Sequence, residues 1–344
     1  MKSAIPLELQ APRSCPRRCP EGFTPPYGAW VARDHAARTQ LVMAYFGVQY
    51  DGPAMRAPAE AAFDKIVALL GGEHAAGHVD QAGFRDDAGY DTLVAIAYWD
   101  DPNGFDRWRQ RADVAGWWES DARLADGPGY FREVFLPTND RFETLFSSLD
   151  QPEGVAIVMG GLDPEDVQEH SYWGSMRDRI AAAQGDPLAG ADARPAPPAE
   201  TLGRRVRVGG VPNLAVIRSG QDWGATRDAE RDMYLNDIEP VLDAGMRFLT
   251  TEGQSIGCWT NRYMRIRGKQ KSFGLGYWRS LGDMEAWAES HSTHIAIFDG
   301  FLQMAAKLNF QLALRLYHEV SVMTPDQQFL EYINCHKNTG LIPR

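Results

Sequence analysis

Two stretches of this chain, one in each half, repeat the same aromatic pattern. In the first, an apolar run ends in a Tyr-Trp pair at Tyr98 and Trp108 follows. In the second, the pair begins at Tyr277 and Trp287 follows, so the interval is the same (98 to 108 and 277 to 287). Each stretch predicts a strand, a helix with apolar residues at three- and four-residue spacing, and a closing strand. Such a repeat favours a chain that folds as two copies of one unit.

Each unit extends towards the N-terminus by one further strand and helix. Periodicity places them at 41–49 and 59–70 in the first half, and at 214–219 and 227–242 in the second, with another strand near 256–265. The order becomes β-α-β-β-α-β twice, which is the ferredoxin-like arrangement. We therefore expect an α+β protein whose duplicated ferredoxin-like units pack as in the dimeric α+β barrels.

The regions outside the two units differ from them in composition. The first 38 residues are rich in Pro and Arg and lack periodicity, so we interpret residues 1–38 as an extended N-terminal arm. We place the first unit at 39–150 and the second at 204–323. A connecting segment at 151–203 lies between them, and a C-terminal tail follows at 324–344.

The connecting segment combines a predicted helix with a loop. A helix is predicted to begin at Asp163 and to include the residues up to Arg179. The signals are Asp163 as N-cap, Pro164 at the first helical position and Glu165 in the first turn. In residues 183–202, 12 of the 20 residues are Ala, Pro or Gly, which is typical of a surface loop.

Composition and charge argue against nucleic-acid binding, membrane insertion and secretion. The formal net charge is −11, from 46 acidic and 35 basic residues, and so acidic a chain is a poor binder of nucleic acid or of an anionic membrane. No apolar run approaches the roughly 18 residues that a membrane span needs, and the N-terminus lacks the apolar core of a secretory signal. Four cysteines do not make a disulfide scaffold. We therefore expect a protein of the reducing cytoplasm.

Three of the eight histidines lie within apolar patterns. His291 and His294 share the apolar face of a predicted helix over 284–302, and His318 interrupts an apolar row of alternate residues in a predicted strand over 312–322. A neutral imidazole in such a place is a metal ligand, an acid–base group or a hydrogen-bonded core residue, and periodicity alone leaves all three open. The other five are assigned to loops, the connecting helix and the tail: His35, His74, His78, His170 and His336.

If His294 and His318 both point inward, they border one cavity between the last helix and the sheet. The surroundings are rich in Phe, Trp, Leu and Met, which suits a large, flat, apolar cofactor such as haem with one His as axial ligand. Zinc fits less well, because the spacing signals no third ligand and the motif His-Glu-x-x-His is absent.

Specific short motifs lie along nearly the whole chain. They include Trp117-Trp-Glu-Ser, Tyr172-Trp-Gly-Ser-Met-Arg, Ile217-Arg-Ser-Gly-Gln-Asp-Trp, Thr293-His-x-x-Ile-Phe and Leu314-Arg-Leu-Tyr-His-Glu-Val-Ser-Val. In these motifs the chain resembles the haem-dependent aldoxime dehydratases, including the phenylacetaldoxime dehydratases. The resemblance implies dehydration of an aldoxime, R–CH=N–OH, to a nitrile and water at a haem b that is ferrous in the active state. It also implies a dimeric α+β barrel fold and a homodimer.

The resemblance assigns roles to five residues. His294 corresponds to the proximal iron ligand, His318 to the distal catalytic histidine, and Ser219 to the serine that holds the oxime hydroxyl. Arg179 and Glu143 correspond to the residues that support the distal histidine. Near neutral pH a histidine can act first as an acid and then as a base, and we expect both from His318.

Two other functions are compatible with a haem site. One is a haem oxidoreductase of the peroxidase or chlorite-dismutase type on the same barrel architecture, which would rest in the ferric state and turn over peroxide or chlorite. The other is a non-enzymatic haem carrier or sensor, which would leave Ser219, Glu143 and Arg179 without roles. Nitrile formation from an aldoxime separates the dehydratase from both.

Overall fold

A computed structural model describes residues 1–33, 39–191, 198 and 200–342, so the predicted loop histidine His35 lies outside the described residues. Within them, eleven strands form one antiparallel sheet. The strands are β1 (Val42–Tyr50), β2 (His78–Arg85), β3 (Asp91–Trp99), β4 (Gly129–Phe135), β5 (Phe142–Phe146), β6 (Arg205–Val208), β7 (Leu214–Asp222), β8 (Cys258–Ile266), β9 (Lys271–Trp278), β10 (Arg315–Met323) and β11 (Gln328–Ile333).

The helices are short to medium in length, and most of them cover the outer face of the sheet, whereas the short helix at 155–158 packs against the inner core. In the described part of the chain, no helix combines the length and the hydrophobicity that a membrane span requires. The helices are α1 (Arg56–Leu69), α2 (Pro102–Gln110), α3 (Ala112–Glu119), α4 (Val155–Val158), α5 (Ser175–Arg179), α6 (Asp228–Met233), α7 (Glu239–Thr251), α8 (Leu281–Ser290) and α9 (Ser292–Lys307).

The strand order is the same in the two halves of the sheet. The full order is β5-β10-β7-β9-β8-β2-β3-β1-β4-β11-β6, so β8-β9-β7-β10 in one half corresponds to β2-β3-β1-β4 in the other. The two Tyr-Trp pairs of the sequence repeat lie at corresponding places, at the ends of β3 and β9. The halves join where Ala82 and Gly83 of β2 pair with Ile266 and Arg265 of β8.

The central strands are buried on both faces because helices cover one face and the other half of the sheet covers the second. In β1, Phe46 points towards the helices and packs with Trp108 and Trp118. Alternate residues point to the opposite face. There Tyr45 joins a core that also contains Tyr277 of β9. The sheet is therefore curled, and its inner face encloses a core built from both halves.

The enclosed core contains ion pairs as well as apolar side chains. Arg262 of β8 binds the carboxylate of Glu133 of β4 through two hydrogen bonds of 2.6 and 2.7 Å. Arg218 of β7 donates to Asp80 of β2 at 2.8 Å. All four side chains are at most 4% exposed, so each charge depends on its partner in the other half of the sheet.

The helical segment predicted over 284–302 forms two helices, because the helix is interrupted at His291. Helix α8 ends at Ser290, His291 is extended (φ −81°, ψ 132°), and α9 begins at Ser292. The His291 ring nitrogen Nδ1 accepts a hydrogen bond from the backbone N–H of Thr293 at 3.3 Å and so caps α9. His291 also stacks on Phe248, with ring centroids 4.3 Å apart. It is a structural residue, and only His294 of the two faces the cavity described below.

The predicted helix beginning at Asp163 is also wrong, since only Ser175–Arg179 of that stretch is helical. Asp163 does accept a hydrogen bond from Glu165, but its buried carboxylate is bound by two arm cations, Lys2 at 2.6 Å and Arg33 at 2.9 Å. The backbone at Ser171 has a positive φ of 62°, which interrupts a helix. The segment over residues 163–174 therefore lacks regular secondary structure, and the N-terminal arm packs against it.

The structure also bears on the predictions for residues 227–242, for the C-terminal tail and for two of the other histidines. The helical stretch predicted at 227–242 is confirmed as α6, a π-helical turn and the start of α7. Residues 328–333, within the predicted tail, form β11 inside the sheet. His336 is buried and lies 2.6 Å from Asp86, and His170 is buried as well.

Candidate functional site

A cavity of about 700 Å³ lies between the outer face of β7, β9 and β10 and the helices α7 to α9. Its walls are mainly apolar, with Ile217, Leu242 and Phe298 among the lining residues. The polar exceptions include His318 and Ser219 from the sheet and His294 from α9. A large apolar cavity with a few converging polar groups is the usual form of a small-molecule or cofactor site.

The strand register brings the sheet residues of the site together. Ser219 of β7 lies directly opposite His318 of β10, and Leu145 of β5 lies opposite His318 on its other side. Glu143 precedes Leu145 by two residues and therefore points to the same face of the sheet. Three of the residues identified by resemblance thus share one face on three neighbouring strands.

Arg179 at the end of α5 connects these residues. Its Nε donates to Glu143 Oε2 at 2.6 Å, and its Nη2 lies 2.9 Å from His318 Nε2. The same His318 nitrogen lies 3.0 Å from Glu143 Oε1. When Nε2 carries a proton it can donate to Glu143, and when it has lost the proton it can accept from Arg179. His318 therefore has a hydrogen-bond partner in both protonation states.

The charges of this cluster are buried and compensate one another. The side chains of Glu143 and Arg179 are only 2% and 1% exposed. Burial by itself raises the pKa of Glu143, but the neighbouring Arg179 and His318 outweigh it, so the pKa of Glu143 lies below its ordinary value. Glu143 is thus held as a carboxylate beside His318.

Ser219 supplies a hydroxyl to the cavity. It lies opposite Gly274 of β9, and both residues line the cavity. Ser219 Oγ makes no hydrogen bond to any residue that the structure describes. A hydroxyl can donate one hydrogen bond and accept others, so Ser219 is available to a polar group in the cavity.

His294 is the polar residue of the helical wall. Its Nδ1 donates to the backbone carbonyl of Ala288 at 2.7 Å, and its ring lies against Trp287, with centroids 4.7 Å apart. Burial lowers the pKa of His294 below 6.5, although the bond to Ala288 acts in the opposite direction. A neutral ring with its proton on Nδ1 leaves the Nε2 lone pair available as a ligand.

These properties fit a haem better than a bare metal ion. Among the described residues, no group of three or more His, Cys, Asp or Glu side chains could hold a metal ion. A haem brings four of its own nitrogen ligands and needs only one from the protein. The apolar walls would suit the faces of a haem, and His294 Nε2 would supply the one nitrogen that it needs from the protein.

The structure also places residues at the site that sequence reasoning missed. Pro20, Tyr27 and Ala29 of the arm line the cavity, although the arm has no periodic pattern that could signal this. The backbone carbonyl of Glu169 accepts a hydrogen bond from Arg179 Nη1 at 2.6 Å. A backbone acceptor has no side-chain signature and could not have been read from the sequence.

Replacing Glu143 with Gln should change how stability depends on pH. Because the pKa of Glu143 is lower in the folded than in the unfolded chain, its contribution is present above the unfolded value of about 4.3 and is lost as the pH falls through the folded value. Breaking the buried pair should cost about 3–5 kcal/mol at pH 7. Urea titrations should show this difference between wild type and variant shrinking below about pH 5.

The matched control is Glu60→Gln, which removes an exposed carboxylate that pairs with Arg56 on the surface. Its stability should differ little from wild type at any pH. A Glu143→Gln difference that stays constant from pH 7 to pH 3.5 would show that the Glu143 carboxylate is not stabilised by its neighbours.

Comparison with known proteins agrees with this geometry. The profile of the family described as "Haem-containing dehydratase" matches residues 44–341. An aliphatic aldoxime dehydratase of Rhodococcus erythropolis is 42% identical, covering 99% of this chain and 98% of the relative. The corresponding enzyme of Pseudomonas chlororaphis is 43% identical with the same coverage, and a phenylacetaldoxime dehydratase of Bacillus sp. (strain OxB-1) is 31% identical, covering 95% of this chain and 94% of the relative.

Solved structures show the same relationship. A crystal structure of an aldoxime dehydratase superposes with a TM-score of 0.93 at 42% identity, covering 99% of this chain and 98% of the other. An aldoxime dehydratase in complex with butyraldoxime superposes with a TM-score of 0.94 at 41% identity, covering 99% and 96%. The expected family is therefore confirmed, and the chain belongs to the haem-containing dehydratase family.

Proposed function

We propose that this protein is a haem-dependent aldoxime dehydratase that converts R–CH=N–OH to R–C≡N and water. The observation that carries the proposal is the convergence of two imidazoles on one apolar cavity, His294 from the helical wall and His318 from the sheet, with Ser219 beside His318. One imidazole is free to bind iron and the other belongs to an acid–base cluster. A haem carrier would need only the first.

The chemistry that a bound haem supplies is coordination of the oxime nitrogen and donation of electron density into the N–O bond. His294 Nε2 is the protein atom that would hold the iron. Its Nδ1–H bond to the Ala288 carbonyl fixes the orientation of the ring and makes Nε2 a better donor. The apolar walls exclude water, which strengthens every electrostatic interaction in the cavity.

The sheet residues handle the protons. We assign the proton transfers to His318 Nε2, which holds a proton against the Glu143 carboxylate and gives it to the oxime oxygen as the N–O bond breaks. The vacated Nε2 then accepts from Arg179 and takes the proton from the substrate carbon. Water and the nitrile leave, and His318 returns to its starting state, so the atoms balance.

Ser219 and Arg179 orient the reacting groups. Ser219 Oγ is free to bind the oxime hydroxyl and direct it towards His318, which lies opposite on the next strand. Arg179 keeps a permanent charge and a rigid fork of donors between Glu143 and His318. Positioning of this kind lowers the entropic part of the barrier.

We further propose that aliphatic aldoximes are the preferred substrates. The relatives named for aliphatic aldoximes are 42–43% identical to this chain, whereas the relative named for phenylacetaldoxime is 31% identical. The distal wall near His318 contains aliphatic side chains, including Leu145, Ile217 and Leu316. These surfaces suit a flexible alkyl group.

The finer architecture is also a proposal. The identical strand order in the two halves supports duplicated ferredoxin-like units, with the first unit at 39–150 and the second at 204–323. Homodimer formation and a cytoplasmic location stay predictions from the sequence. Light scattering on the purified protein would test the first.

Nitrile formation tests the proposed activity. We expect the haem-loaded protein, reduced anaerobically with dithionite, to convert butyraldoxime to butyronitrile at a rate typical of enzymes, about 1–10³ s⁻¹. The ferric protein should form little nitrile. The absence of nitrile in both states would overturn the proposal. Turnover of peroxide or chlorite by the ferric protein without nitrile formation would support the oxidoreductase instead, an alternative that the similar proteins do not favour.

A further inference from the structure

Helix α5, which contains Arg179, is too short to be stable without contacts to the rest of the molecule. It comprises five residues, Ser175–Arg179, and follows Gly174 in a left-handed conformation. An isolated helix of this length is unstable in water, because the cost of nucleation exceeds the gain from one or two hydrogen bonds. Contacts with the rest of the molecule must therefore fix Arg179 beside His318.

The contact of α5 with the N-terminal arm is made by Asp178, whose side chain is completely buried. Its Oδ2 accepts hydrogen bonds from the backbone N–H groups of Arg18 and Cys19, at 2.9 and 3.0 Å, and from the hydroxyl of Tyr172 at 2.9 Å. The guanidinium of Arg13 lies 3.6 Å from Oδ1 and also donates to the Asp178 carbonyl at 3.3 Å. Most partners of this buried carboxylate thus belong to the N-terminal arm.

A second arm contact reaches Arg179 through Glu169. The Glu169 carbonyl accepts from Arg179 Nη1, while its buried carboxylate accepts from the backbone N–H of Ala4 at 2.8 Å and from Arg17 at 3.4 Å. Two of the elements that orient the Arg179 guanidinium are therefore held by the arm. The proton-transfer chain assigned above needs that guanidinium within hydrogen-bond distance of His318.

We propose that Asp178 is a positioning residue, through which arm residues 13–19 fix Arg179 beside Glu143 and His318. The N-terminal arm would then contribute to catalysis by positioning Arg179, in addition to lining the cavity. This inference rests on the proposed dehydratase function. A role of Asp178 in stability alone is the alternative, and the two make different predictions.

The test uses Asp178→Asn in the full-length, haem-loaded protein. Asn keeps the size of the side chain, but its NH2 group cannot accept hydrogen bonds and would face the Arg13 guanidinium. We expect kcat for butyraldoxime to fall about tenfold with KM changed less than about twofold, since a small displacement of a positioning group is costly. Haem content and the ferrous Soret band should be unchanged, because His294 is untouched.

Carbon monoxide provides a readout that does not depend on turnover. The C–O stretching frequency of CO bound to ferrous haem responds to hydrogen-bond donors on the distal side. We expect Asp178→Asn to shift this frequency in the same direction as Arg179→Gln. The control is Glu289→Gln, which removes an exposed ion pair of the arm with Arg18 (both side chains 43% exposed) and should change neither the frequency nor kcat.

A double-mutant cycle decides between the two roles. If Asp178 acts through Arg179, adding Asp178→Asn to Arg179→Gln should cause no further shift of the C–O frequency and no further loss of residual kcat. Equal effects in both backgrounds would overturn the inference, as would a lower melting temperature with unchanged kcat and C–O frequency. If the Asp178→Asn variant does not fold, Arg13→Gln weakens the same contact between the arm and α5. It can replace Asp178→Asn in the double-mutant cycle with Arg179→Gln. Failure of wild type to form nitrile, with the CO coupling intact, would overturn only the proposed activity.

Discussion

Replacement of His318 by Ala is expected to leave haem bound and to lower kcat for butyraldoxime by about 10²–10⁴-fold, the usual contribution of general acid–base catalysis. The haem should remain because the proposed iron ligand is His294, on the helical wall. The oxime should still enter, since Ser219 and the apolar walls are intact. The measurement is steady-state kinetics under anaerobic, reducing conditions, with haem content determined on the same preparation.

His74→Ala is a suitable control for the His318 variant. His74 lies outside the cavity, with its ring 3.5 Å from the exposed Glu73 carboxylate. Its replacement should leave kcat within about twofold of wild type, as is usual for surface positions. An unchanged rate in His318→Ala would show that another group moves the protons, and the role assigned to Nε2 would have to be abandoned.

Replacement of His294 by Gly should abolish stable haem binding. Haem would retain only apolar contacts with the walls, so the purified variant should contain less than about a tenth of the wild-type haem, and turnover should fall with it. Because Gly leaves a space of the size of the ring, added imidazole should enter and restore part of the Soret band. Absorbance spectra recorded during an imidazole titration would measure both effects.

His291→Ser is the matched control for the ligand variant. His291 lies three residues from His294 and caps α9, and Ser is itself a good capping residue, so α9 should keep its start. This variant should bind haem normally. Retention of the full Soret band in His294→Gly together with its loss in His291→Ser would reassign the iron ligand.

The main strands were predictable because their patterns are local. The strands β1, β3, β4, β7, β8, β9 and β10 show in the sequence as apolar runs or alternation, and the Tyr-Trp repeat relates β3 to β9. These patterns do not predict β2, β5, β6 and β11. The break at His291 does not show in the periodicity, because the residues around it keep helical spacing, although Ser292 is of a type that often begins a helix. The start of α9 is capped by one hydrogen bond from the Thr293 backbone N–H to the His291 side chain, and periodicity does not record such bonds.

A site residue could be predicted from the sequence when its polarity differs from that of the neighbouring residues in its helix or strand pattern. His318 and His294 stand out from apolar rows, so sequence reasoning placed both at one cavity. Glu143 and Arg179 were identified only by resemblance, because a single charge in a polar segment is usually a surface residue. Their burial depends on α5 meeting β5, a tertiary contact between residues 36 positions apart in the chain.

The ion pairs inside the curled sheet make its two halves chemically unlike. In these two pairs the first half supplies the carboxylates, Glu133 and Asp80, and the second half supplies the arginines, Arg262 and Arg218. Two copies of the first half, arranged in the same way, would set anion against anion in a dry interior, where repulsion is strong. At these two ion pairs the two halves of the sheet are therefore complementary in charge. Neither half can therefore take the place of the other, and His318 lies in only one of them.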